Sequence, residues 1–314
     1  MDHGTVPASL KGAALKRAVG IAGALLCVIA LALLLRRGVA LGAELGDRLA
    51  QISIAHFAGA LAAYVVGAAA LAFAWAVLVR AAAGRAVDGR LLVIAHLRSQ
   101  LAKYLPGNVF HFAYRHLAAR RQGVGHAALG AALGFESLLL IAAAAILALG
   151  VMADPRIDAM LPWARRLVWL APLLAGIAVF VAAVSARRFG FAETSGRRTS
   201  GALVGVVAID VVFFLLAAFA LRLLCARPEA MSFDAWCGWL ALAWAVGYVT
   251  PGAPAGLGLR EAVLALGLGP VLGESEALAL ALAYRLLTLA ADALLAGAGF
   301  ALRASRNESN RDEG

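Results

Sequence analysis

Charged residues are scarce in this sequence. Asp, Glu, Lys and Arg make up 15% of its 314 residues, too little polar surface to cover a water-soluble globule of that size. Cysteine is scarce as well: Cys27, Cys225 and Cys237 lie in or beside apolar runs without metal-ligand spacing and read as small buried side chains. The patterns of common catalytic sites are also missing. His111 and His116 are five positions apart, where a zinc-binding pair on one helical face needs four, and no acidic ligand sits at motif spacing. Gly256-Leu257-Gly258 lacks the preceding strand and the remaining glycines of a dinucleotide fingerprint, and no serine occupies a nucleophile elbow. These absences argue against an enzyme and against a metal or other cofactor.

What fills the chain instead is apolar. Hydrophobic residues make up 63% of it and the mean hydropathy is +0.87, so the chain belongs in a bilayer. A net charge of +10 would suit a nucleic-acid partner. The arginines, however, cluster at the ends of apolar runs, as the positive-inside rule and anionic headgroups require, and no nucleic acid is expected.

The apolar runs predict an all-α polytopic integral membrane protein. Full spans are expected at about residues 19–35, 52–79, 127–151, 167–184, 201–224 and 277–302, about six in all. They form one transmembrane domain, residues 14–302, between polar tails at 1–13 and 303–314. The first run ends in Arg36-Arg37 without a small-residue cleavage site, so it reads as a retained span rather than a signal peptide. The loops carrying Arg80, Arg85 and Arg90, and Arg187-Arg188 with Arg197-Arg198, set those loops and both termini in the cytoplasm, although Arg36-Arg37 and Arg165-Arg166 then face outward.

Two stretches interrupt the pattern. Lys103-Tyr104-Leu105-Pro106-Gly107 and Thr250-Pro251-Gly252 each break a helix, because proline removes a backbone donor and glycine admits backbone angles that other residues avoid. An arginine follows each break nine positions after its proline: Arg115 after Pro106, and Arg260 after Pro251. The arms on either side are about 15 residues, or roughly 22 Å of helix, against a hydrocarbon core of about 30 Å. Two re-entrant hairpins result, at residues 91–121 from the cytoplasmic side and at 236–272 from the outside. The alternative for the first is an amphipathic hairpin lying on the membrane surface. With re-entry, residues 14–151 and 163–302 form an inverted-topology repeat, the arrangement that brings two hairpin tips to a transporter's midplane site.

Charges within apolar segments are usually paired or line a polar pathway. Here Arg98, Lys103, Arg115, Glu136, Asp210, Arg260, Glu261, Arg285 and Asp292 fall in or near such segments. Arg115 and Arg260 carry the functional reading. Their guanidinium groups suit phosphate oxygens, and helix starts beside a Pro-Gly break add backbone N–H groups. Glu136 and Glu261 are candidates to neutralise these arginines or to take up protons. For Asp210 and Asp292 a structural role is expected. Trp236, Trp239 and Trp244 read as an interfacial belt and packing surface, and His56, His96 and His126 as interface or core histidines.

The two Pro-Gly motifs with Tyr114-Arg115 and Gly256-Leu257-Gly258-Leu259-Arg260-Glu261, together with Ala283-Tyr284-Arg285 and Glu136, resemble the lysylphosphatidylglycerol synthase transmembrane, or flippase-like, domain family. The resemblance covers nearly the whole chain. It implies a multi-pass protein of the bacterial inner membrane that moves or modifies lipids, and headgroup contacts are expected at Lys103, Arg115, Arg260 and Arg285. The chain departs from the fused synthases, since only a short polar tail follows Leu302, and no lysylphosphatidylglycerol synthesis is expected. It also has Ala253-Pro254-Ala255 where the family often carries extra glycine. The expected function is binding and translocation of a phosphate-bearing phospholipid or glycolipid. The alternative is a non-transporting accessory subunit that docks a lipid-modifying enzyme or glycosyltransferase through basic surfaces near Arg120-Arg121 and Arg197-Arg198.

Overall fold

A computed structural model describes residues 8–105, 109–154 and 196–312, with backbone alone at residues 8–20, 23, 153, 196–200 and 305–312. The first hairpin's Pro106-Gly107 turn and the span expected at 167–184 lie outside the described residues. Every regular element among those described is helical. The helices are α1 (Ala8–Ala50), α2 (Ile54–Ala83), α3 (Gly89–Arg98), α4 (Phe110–Arg120), α5 (His126–Ala148), α6 (Gly196–Leu223), α7 (Phe233–Val249), α8 (Leu259–Leu272) and α9 (Glu274–Asp312). Short 3-10 turns at Gln100–Tyr104, Leu149–Ala153, Pro228–Ala230 and Pro254–Gly256 join them.

Among the described residues, six helices are long and apolar enough to cross a membrane: Ala24–Ala50, Ile54–Ala83, His126–Met152, Gly201–Leu223, Pro254–Leu272 and Glu274–Ala304. Five coincide with expected spans. The first differs in extent, because α1 begins at Ala8, inside the stretch expected as an irregular tail, and continues past Arg36-Arg37 to a break at Gly42, whose φ is 46°. Pro254–Leu272 qualifies only with its 3-10 turn included. Helix α8 alone has 14 residues, about 21 Å at 1.5 Å per residue, and remains a hairpin arm.

The two hairpins open toward opposite ends of α5. At the mouth of the first, the Asp88 backbone N–H donates to Gln122 Oε1 at 2.8 Å, tying the start of α3 to the end of α4. Asp88 also caps α3, accepting from the N–H groups of Arg90 and Leu91. At the mouth of the second, Arg227, just before α7, donates to the Leu272 carbonyl at the end of α8. Helix α5 starts beside the first mouth and ends at the second, where the backbones of Gly150 and Gly238 meet too closely to admit a Cβ on either. With 23 residues, α5 separates the mouths by about 35 Å.

Some of the helix contacts recur when the halves are exchanged. Helix α3 lies against α9 as α7 lies against α5, and α2 touches α9 as α6 touches α5, while α2 and α6 form the most extensive pair. At the centre the Gln100–Tyr104 turn of one hairpin touches the Pro254–Gly256 turn of the other. The core around them is largely alanine, leucine and aromatic side chains from α2, α6, α7 and α9. Small residues allow close helix approach where lipid supplies no hydrophobic drive. Helix α1 leans on the second hairpin from outside, with Cys27 Sγ donating to the Leu257 carbonyl at 2.7 Å.

Candidate functional site

The second turn shows how the sequence builds the site. Glycine sits at three of its left-handed positions, Gly252 (φ 83°), Gly256 (φ 69°) and Gly258 (φ 80°), and Ala255 (φ 49°) takes a fourth. Left-handed backbone costs an L residue roughly 1–2 kcal/mol, so Ala255 carries strain where a glycine would not. The strained peptide is used: Arg285 Nη1 donates to the Ala255 carbonyl at 3.3 Å.

Below the two tips lies a cavity of about 120 Å³ lined by residues of both hairpins and of α2, α5, α6 and α9. At about 30 Å³ per liquid water this is room for roughly four waters. Four cations line it, Lys103, Arg115, Arg260 and Arg285, with the carboxylates Glu136 and Asp292. The residues expected to form a site therefore converge from segments up to 182 positions apart (Lys103 to Arg285). Glu261 stands behind, in an adjoining pocket of about 30 Å³ that shares Arg260 and Arg285 with the first.

Three of the cations are paired. Arg115, 2% exposed, donates from Nη1 to Glu136 Oε1 at 2.6 Å and approaches His96 Nδ1 at 2.8 Å. A guanidinium can only donate, so Nδ1 is the acceptor and the His96 proton is on Nε2. Trp75 and Phe112 flank the same guanidinium, each 5.2 Å from ring centre to Cζ. Lys103 Nζ donates to Asp292 Oδ1 at 2.7 Å, and Tyr104 donates its hydroxyl to the other oxygen of that carboxylate. The short 3-10 turn presents both side chains to one acceptor. Arg285 Nε lies 3.4 Å from Glu261 Oε1, an ion-pair distance without hydrogen-bond alignment. Breaking a buried pair by removing one partner typically costs about 3–5 kcal/mol, so these pairs hold the hairpins in place.

Arg260 is the exception. Among the described residues it has no carboxylate within ion-pair distance; its guanidinium lies over Trp244, 5.6 Å from the ring centre, and its Nε is buried without a hydrogen-bond partner in the protein. Glu261, the neighbour expected to neutralise it, points elsewhere. Adjacent helical residues project about 100° apart, and Glu261 curls back so that Oε2 accepts from the Gly258 N–H at 2.7 Å. This bond occupies one of the backbone donors at that helix start.

Other readings change as well. Asp292 is 1% exposed and anchors Lys103 and Tyr104 in the cavity wall, so its structural role is part of the site. Trp236 and Trp239 are buried and pack in the core, whereas Trp244 lines the cavity beneath Arg260. Tyr64 and His96 also line the cavity; the signal for His96 was its place in an interrupted apolar segment next to Arg98. His116 and His126 face each other outside the site at 2.9 Å. Among the described residues no cluster of His, Cys, Asp and Glu could hold a metal. Arg120 is exposed and donates to the Val124 carbonyl, and the Arg197-Arg198 side chains lie outside the described residues.

The cavity thus holds one more cation than its paired carboxylates neutralise, beside aromatic side chains and within a bundle of helices long and apolar enough to cross a membrane. Its chemistry is that of an anion receptor. No protein-family model matches the chain, and no curated protein matches it significantly.

Proposed function

We propose that this multi-pass membrane protein is a lipid translocase of the bacterial inner membrane, with both termini in the cytoplasm. It binds the phosphate of an anionic phospholipid or glycolipid at the hairpin tips and moves it between leaflets. The observation that carries this reading is Arg260, whose guanidinium has no carboxylate within ion-pair distance among the described residues and whose Nε is buried without a partner, facing a cavity that Lys103, Arg115 and Arg285 also line. A solitary charge within a membrane is costly and marks a substrate pathway. A phosphate monoester or diester supplies the missing negative charge and fits the guanidinium fork.

The cavity accommodates a headgroup phosphate and little more, so the acyl chains stay in the bilayer while the polar group passes between the tips. In the resting site Glu136 and Glu261 occupy Arg115 and Arg285, and an arriving phosphate meets Arg260 first. Orientation follows from the arginines at the first mouth, Arg80, Arg85, Arg90, Arg120 and Arg121, together with Arg303 near the end of α9. The likeness of the Pro-Gly motifs to the flippase-like family supports the same reading.

Reconstitution tests it. Vesicles containing the protein and a fluorescently labelled phosphatidylglycerol are exposed to a membrane-impermeant quencher. Quenching beyond the outer-leaflet half, faster than in protein-free vesicles and slowed by Arg260→Gln, is the expected result. Equal rates with and without protein would refute translocation, and recovery of a lipid-modifying enzyme with the purified protein would then favour an accessory role.

A further inference from the structure

Asp210 takes no part in the pairs described above. It lies in α6, is 3% exposed, and its Oδ2 is buried without a hydrogen-bond partner in the protein. Glu136 is in a related position: Oε1 holds Arg115, while Oε2 is buried and unpartnered. The two carboxyls come from parallel helices. Helices α5 and α6 both run antiparallel to α7, which starts beside the end of each, so they are parallel to one another. Glu136 is ten residues into the span His126–Met152 and Asp210 nine into Gly201–Leu223, about 15 Å from the same end in each case. Their neighbours Phe135 and Ile209 share one apolar cluster, one turn on from Asp210 Phe213 lines the cavity with Glu136, and Glu136 is within electrostatic reach of Asp210.

Glu136 meets a charged or titratable group from each of several elements. His96 comes from α3, Arg115 from α4, Asp210 from α6, and from α7 comes Tyr248, whose hydroxyl donates to Ser137 at 2.8 Å. Trp75 of α2 carries no titratable group. Asp210, among the described residues, has Glu136 as its charged neighbour. Two carboxylates within electrostatic reach of one another, of which Glu136 alone has a cation partner among the described residues, resist being ionised together.

We propose that Glu136 and Asp210 form a proton-binding site, and that an anion docking at Arg115 is accompanied by uptake of one proton. The inference rests on the headgroup reading above and adds the proton as a second substrate. In the resting site Asp210 carries a proton and Glu136, ionised, pairs with Arg115. An arriving phosphate takes the Arg115 N–H groups. Glu136 loses its cation beside Asp210 and accepts a proton from water in the cavity, so the incoming charge and the proton cancel and the membrane interior gains no net charge. Release of the phosphate reverses both steps.

Two measurements on the full-length protein in detergent test this. Infrared spectra at neutral pH without ligand are expected to show the C=O stretch of a protonated carboxyl that disappears in Asp210→Asn. Carbon-13 labelling of aspartate shifts the same band in the wild type, so the assignment survives if the variant misfolds. Calorimetric titration with dihexanoyl phosphatidylglycerol in buffers of different ionisation enthalpy is expected to report uptake of one proton per lipid bound. Affinity then weakens by about tenfold per unit rise in pH over the titrating range, and Glu136→Gln, a permanent mimic of the protonated acid, abolishes both the uptake and the pH dependence. A resting spectrum without an aspartate-labelled acid band overturns the protonated Asp210. Binding without proton uptake overturns the coupling alone, whereas failure of the probe to bind refutes the headgroup reading and the coupling with it.

Discussion

Arg260→Gln separates binding from folding in a way that the other cavity cations cannot. The substitution removes a guanidinium whose one charged or aromatic contact among the described residues is Trp244 at 5.6 Å, a cation–π contact worth about 0.5–2 kcal/mol. It also removes a buried Nε without a partner, the kind of group whose burial costs about 1–3 kcal/mol. The two effects oppose each other and no carboxylate is orphaned, so stability should change by about 1 kcal/mol or less. Binding responds differently. A charge-assisted hydrogen bond contributes about 1.5–3 kcal/mol, so affinity for a short-chain phosphatidylglycerol should fall about 10- to 150-fold at 1.4 kcal/mol per decade. Thermal unfolding in detergent and calorimetric titration of the same samples read both quantities. Unchanged affinity, or a destabilisation as large as that of Arg115→Gln, would refute the assignment of Arg260 as the open anion seat.

The remaining predictions concern the frame that holds this seat. Arg115→Gln should destabilise by about 3–5 kcal/mol because it strands the buried Glu136, and adding Glu136→Gln should recover much of that loss, as a double-mutant cycle of unfolding free energies would show. Ala255→Gly relieves a left-handed alanine at the price of added freedom in the unfolded chain, so chemical denaturation should find it neutral or more stable by about 1 kcal/mol. Gly238→Ala drives a Cβ into the backbone at Gly150; circular-dichroism melts should show a loss of about 1–3 kcal/mol or more, with the headgroup contacts themselves untouched.

Five of the expected spans and the short helical arms of both hairpins were legible, because length and hydropathy are local properties of sequence. Arg115 and Arg260 were legible for the same reason: a cation that follows a break in an apolar run is too costly to leave facing lipid and turns toward a partner or a polar pathway. The partnerships were not legible. Lys103 and Asp292 are 189 positions apart, and nothing local distinguishes Asp292 from Asp210, although one anchors a lysine and a tyrosine while the other has an unpartnered oxygen. Glu261 misled through proximity, since a neighbour in sequence points to another side of the helix. Trp244 was hidden among tryptophans that pack the core, and its role emerges only when the hairpin turns Arg260 back over its ring.

The central claim is that a lipid phosphate sits against the Arg260 guanidinium. Solid-state magnetic resonance can measure this contact, with nitrogen-15 in the arginine side chains and the native phosphorus of bound phosphatidylglycerol. The account predicts phosphorus–nitrogen dephasing at hydrogen-bond range in the wild type and its reduction in Arg260→Gln. Dephasing that is absent from the wild type, or that persists undiminished in the variant, would contradict it.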